Sequence, residues 1–141
     1  MPKFLAEFFP NVANYWDIFL TALTATYQMF FIAGLITLLI GGAFGISLIV
    51  TKTDGIKPNR IVHFILEVIT NVFRAVPFII LLIFLIPLTR SIAGTSIGVK
   101  GAIVPLVFGA VPFYTRQVET ALADVNPGKI EAARSMGSST L

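Results

Sequence analysis

Residues 18–50 carry no charge at any of 33 successive positions, and this stretch limits the fold more than any other feature. As one helix it would measure roughly 50 Å, against about 30 Å of hydrocarbon in a bilayer, so part of it is expected to lie outside the apolar core. The composition agrees with a lipid solvent. Of the 141 residues, 56% are hydrophobic and 12% charged, whereas soluble domains average about 45–50% and about 25%. A few spans with short connections leave little room for a soluble domain.

The N-terminus offers only Lys3 before Glu7 and no Ala-x-Ala cleavage pattern, so a removable signal peptide is not expected and the first span should stay. Trp16, Phe19, Leu20, Leu23 and Tyr27 recur at helical spacing, and Asn14, Asp17, Thr21 and Thr24 supply a more polar face. Residues 1–28 are therefore expected to form an extracytoplasmic N-terminus with an interfacial lead-in helix, and residues 29–50 the first span. Tyr15 and Trp16 fit either an aromatic belt or a packing stripe. Gly41, Gly42 and Gly45 contain a Gly-x-x-x-Gly pair, which favours close helix packing over a hinge. Residues 51–60, with Asp54-Gly55, Pro58 and three basic side chains, form a connector.

The next apolar stretch is not uniform. Residues 61–73 include His63, Glu67 and Asn71, while residues 75–88 are uncharged and carry Pro87 near their end. An interfacial first half followed by a second span is expected, with Pro77 disturbing the helix at the junction. Residues 88–100 form a Gly- and Ser-rich connector, and residues 101–123 the third span. Pro105, Gly109 and Pro112 interrupt that span, which is tolerable only where protein or water surrounds the backbone. With Pro77, these three are candidate pathway or helix-packing positions. Lys52, Lys57, Arg60, Arg116, Lys129 and Arg134 fall on one side, and Lys3, Arg90 and Lys100 on the other, with Arg74 ambiguous. The positive-inside rule then puts the N-terminus outside and the C-terminal tail in the cytoplasm. Residues 29–125 make up the transmembrane domain.

Several chemistries are absent from the pattern. There is no Cys, so disulfides and thiolate metal sites are excluded; His63 is the only histidine, and no metal or other cofactor is expected. The net charge of +3 is scattered rather than clustered, which argues against nucleic acid. No Gly-x-x-x-x-Gly-Lys phosphate loop and no catalytic constellation occur, so the chain is not expected to be an enzyme. Arg74 is expected to snorkel to lipid phosphates or to pair with Glu67, and Arg116 with Glu119 to form a local ion pair or a coupling or gating contact.

Residues 126–141 form a separate segment on the water side. Asn126 is placed to cap a helix, Pro127 to occupy its first position, and Glu131 to lie in its early turns. Ala132, Ala133 and Gly137 leave a surface that a partner can approach closely. Glu131-Ala132-Ala133 and Gly137 resemble the EAA motif of permease subunits of ATP-binding-cassette importers. Upstream, Phe73-Arg74-Ala75-Val76-Pro77-Phe78-Ile79-Ile80-Leu81-Leu82, Pro87-Leu88-Thr89-Arg90, Gly94-Thr95-Ser96-Ile97-Gly98, Ala102-Ile103-Val104-Pro105-Leu106 and Val111-Pro112-Phe113 look like methionine-importer permeases in the same order.

The resemblance implies an all-α polytopic membrane protein of the bacterial inner or plasma membrane, with three transmembrane helices present of about five. It also implies a homodimer of permease copies, an ATP-binding subunit that receives Glu131, Ala132, Ala133 and Gly137, and an extracytoplasmic binding protein that delivers methionine. Membrane lipid is the remaining partner. Two further spans and a Leu-Pro pair would follow residue 137 in such a family, so the chain is expected to be C-terminally truncated and not competent alone. Two other classes stay open. A small membrane scaffold would use the tail to dock a cytoplasmic partner, and a channel or proton-coupled carrier would show secure ionisable residues within the bundle.

Overall fold

The computed structural model describes residues 9–138, apart from the side chains of Ala13 and Pro127; Lys3 and Glu7 lie outside the described residues. Among the described residues seven helices follow one another: α1 Pro10–Asn14, α2 Trp16–Thr51, α3 Arg60–Ala75, α4 Phe78–Phe84, α5 Ile86–Ala93, α6 Gly98–Ala123 and α7 Pro127–Ser135. No strand occurs among the described residues.

The lead-in and first span are one continuous helix of 36 residues. No Gly or Pro falls between Trp16 and Ala33, so nothing breaks the chain near Met29. Thr21 and Thr26 return their hydroxyls to the carbonyls of Asp17 and Ala22, both at 2.8 Å, which removes their appeal as turn formers.

The core is the seam between α2 and α6. Ala33, Thr37, Gly41, Gly45 and Leu48 recur at helical spacing and are buried there. A Cβ on Gly41 would meet Tyr114 Cδ1 at 2.9 Å, and one on Gly45 would meet Val118 Cβ at 2.6 Å and the Thr115 carbonyl at 2.8 Å. The Gly-x-x-x-Gly pair thus serves packing, as its spacing predicts. Thr115 Oγ1 also donates to the Gly41 carbonyl at 3.3 Å.

These contacts advance together, Gly41 with Val111 and Tyr114, then Gly45 with Thr115 and Val118, so α2 and α6 run parallel. Parallel neighbours require the intervening chain to return from one end of the bundle to the other. The return is traced by Glu67 beside Arg116, Phe73 against Phe108, and Thr89 near Gly101 and Pro105. The connector 52–59 and α7 consequently share one end of the bundle, and residues 94–97 lie at the other.

The return path is not the single second span expected over residues 75–88. Asn59 caps α3 by accepting from the amides of Ile61 and Val62 at 3.2 and 3.1 Å. At the far end Val76 is extended and Pro77 cannot donate, so α4 leaves at 104° to α3. With seven residues, α4 is about 10 Å long and cannot cross a bilayer alone. Pro87 sits in the first turn of α5 rather than closing a helix, and α5 occupies half of the expected 88–100 connector before Gly94 ends it at φ 72°. Among the described residues two helices, α2 and α6, are long and apolar enough to cross a membrane, and the bent pair α3–α4 makes a third crossing when taken as one span.

Candidate coupling segment and the polar cluster behind it

α6 ends at Ala123, and after a turn Asn126 opens α7 by accepting from the Gly128 amide at 2.8 Å. Pro127 takes the first position, where its missing donor is harmless. At the other end Gly137 adopts φ 84°, its amide reaches the Arg134 carbonyl at 3.0 Å, and Ser138 reaches the Ala133 carbonyl at 3.1 Å. This is a Schellman closure, and it explains glycine at 137: a side chain there would be strained.

Glu131 is the fifth residue of α7, beyond the first turn, where the helix dipole no longer acts strongly on a carboxylate. Glu131, Ala132 and Gly137 are exposed and Ala133 is half-buried. The expected docking residues therefore lie on one short, capped helix and, for Gly137, in the turn that closes it.

Behind α7, near the same end of the bundle, is a cluster that no single stretch of sequence displays. Arg116 of α6 donates through Nη1 to Glu119 on its own helix and through Nη2 to Asn71 Oδ1 of α3 at 2.8 Å. The same Nη2 lies 3.6 Å from Glu67, whose other oxygen is 3.7 Å from His63 Nε2. His63 Nδ1 in turn meets the Leu48 carbonyl of α2 at 3.1 Å. The local Arg116–Glu119 pair is present, but Glu67 is engaged by Arg116 and His63 rather than by Arg74. Arg74 instead lies over the Phe113 ring, 5.4 Å from its centroid. The sequence signal for this cluster is the His63, Glu67, Asn71 stripe at four-residue spacing.

Pro77, Pro105, Gly109 and Pro112 do not converge. Pro77 and Gly109 line a cleft of about 570 Å³ with Arg74 and Phe113, and the Phe78 ring comes within 2.9 Å of where a Gly109 Cβ would stand. Pro105 faces a second cleft of about 400 Å³ beside Thr89 and Ser96. Pro112 faces a third, apolar cleft of about 210 Å³ beside Phe44 and Phe73. Among the described residues no His, Asp and Glu group is placed to hold a metal ion.

An all-α bundle with apolar spans and an exposed helix at one end defines a polytopic membrane protein. The chain belongs to the family of binding-protein-dependent transport system inner membrane components, whose pattern matches residues 41–141. It is 47% identical over 116 residues to the D-methionine transport system permease protein MetI of Salmonella typhimurium LT2, covering 82% of this chain and 54% of that protein. The MetI of Escherichia coli K12 is 46% identical over the same shares. A solved inward-facing conformation of the MetNI methionine ABC transporter superposes with a TM-score of 0.82 at 44% identity, covering 86% of this chain and 56% of that one. The chain thus spans about half the length of the relatives it matches.

Proposed function

We propose that the chain is part of a permease subunit of an ATP-binding-cassette importer for methionine, carrying substrate inward while a separate ATPase supplies the energy. The observation that carries this reading is α7: a helix capped at both ends, exposed along its small-residue face and joined to a span by a three-residue turn. Such a helix suits a cleft in a partner and transmits the partner's displacement to α6. Glu131, Ala132, Ala133 and Gly137 form the docking surface. Two permease copies pair with two ATP-binding subunits, and an extracytoplasmic protein delivers the amino acid. The shared end that holds the 52–59 connector and α7 faces the cytoplasm, which is supported by Lys52, Lys57, Arg60, Lys129 and Arg134.

The test is co-purification and uptake with the full-length permease. Glu131→Arg is expected to reduce both ATPase association and ATP-dependent methionine uptake by about tenfold, since one charge reversed at a docking surface costs on the order of 1–2 kcal/mol. Undiminished association and uptake would remove α7 as the docking element. A wild-type complex that hydrolyses ATP without moving methionine would remove the substrate.

A further inference from the structure

We infer that Arg116 is a positioning residue that fastens α3 to the helix bearing α7, so that a displacement of α7 reaches the return path of the chain. This rests on the reading that the protein is a permease driven by an ATPase. The two interfaces of α6 differ in kind. Toward α2 the backbones touch through Gly41 and Gly45, so these helices move as one body whatever their polar residues do. Toward α3 the attachment at the α7 end is polar, and Arg116 is its centre.

Each arm of the guanidinium has a direction. Glu119, one turn along the same helix, holds one amino group, and the other is thereby aimed at Asn71 and Glu67 of α3. His63 stands on the opposite side of Glu67, with Nε2 3.7 Å from its other oxygen, and its Nδ1 meets the Leu48 carbonyl, so the chain of contacts ends on α2. Arg116 lies seven residues before the end of α6, about 10 Å from the turn into α7. Farther along, α3 bends at Pro77 and α4 rests Phe78 on Gly109. A tilt of α6 therefore turns α3 through Arg116 at one end and α4 through Phe78 at the other. Without the cation, the Glu67 and Glu119 carboxylates repel across the interface, and α3 loses its direct tie to α6 at the α7 end, keeping there only the His63 contact to α2.

A residue that merely stabilises the fold would lower ATP hydrolysis and transport together. A positioning residue changes their ratio. The experiment uses the full-length permease with its ATPase subunits and binding protein in proteoliposomes, with labelled methionine and released phosphate measured in one sample. Arg116→Gln is expected to keep ATP hydrolysis within about twofold while methionine moved per ATP falls about 5- to 30-fold. Arg116→Lys, which keeps the charge but not the fork, should recover part of the ratio. Asn71→Ala, a milder cut of the same link, should lower the ratio about two- to fivefold and serves if Arg116→Gln does not assemble. A wild-type ratio in these variants, or a parallel loss of both activities, overturns the role of Arg116. A wild-type complex that moves no methionine would instead overturn the permease reading, leaving the two failures distinct.

Discussion

In the seam between α2 and α6, Thr115 gives its hydroxyl to the Gly41 carbonyl, while Thr37 buries one that meets no acceptor among the described residues. Valine matches threonine in shape, so the two substitutions isolate the hydroxyl. Thr115→Val is expected to cost about 0.6 kcal/mol, the usual worth of an interhelical hydrogen bond in a membrane. Thr37→Val should stabilise by about 1 kcal/mol, because an unsatisfied buried group disappears. Equilibrium unfolding of the full-length protein in mixed detergent reads both, and equal effects of the same sign would contradict the assignment. The glycines separate in the same way. Gly45→Ala drives a Cβ into Val118 and the Thr115 carbonyl and should cost about 1–3 kcal/mol, whereas Gly34→Ala meets nothing within 4 Å among the described residues and should stabilise by up to about 1 kcal/mol, as alanine replaces glycine inside a helix. Gly41 and Gly45 announce close packing through their spacing. Nothing in the letters separates Thr37 from Thr115, because the difference lies in the facing helix.

Among the elements, α7 depends most on its ends. A helix of nine residues is marginal in water, so its two caps decide how fully it is formed. Asn126→Ala removes the bond to the Gly128 amide, and Gly137→Ala places a side chain at φ 84°; each should cost about 1 kcal/mol. Hydrogen exchange of amides within 127–135 should then quicken about fivefold in each variant. Unchanged exchange would mean that something other than the caps holds the helix. The N-terminal cap was legible because Asn126 and Pro127 occupy the positions their chemistry prefers, whereas Gly137 was read only as a small surface residue and its closing role comes from the structure. The α4–α5 region was less so. Pro77 marks a break but not its angle, and Pro87 suits a helix start as well as a helix end, so a single helix over 75–88 was expected where the chain bends after α3 and starts a new helix at Ile86. Arg74 and Glu67 stand two turns apart on α3, yet Arg116 from α6 reaches the carboxylate, a meeting set by tertiary packing alone.

For the whole molecule, the parallel course of α2 and α6 fixes which loops share a side. This chain has no Cys, so single cysteines placed in it report this without background from its own residues. Asp54→Cys and Ser138→Cys are expected to react with an impermeant thiol reagent from one side of the membrane, and Ile97→Cys from the other. Labelling of all three from one side would show that the α3–α5 path re-enters rather than crosses. The number of apolar stretches could be counted in the sequence, but their relative direction is a property of the seam. The length of α2 has a geometric consequence of its own. Thirty-six residues make a rod of about 54 Å, and even at a 40° tilt it covers about 41 Å along the membrane normal, about 11 Å more than the hydrocarbon. Its N-terminal turns must stand in the headgroup layer or above it. They carry Trp16, the only tryptophan, stacked on Phe19 with ring centroids 5.5 Å apart. The tryptophan fluorescence of this chain is therefore a built-in depth gauge for that one end of the rod.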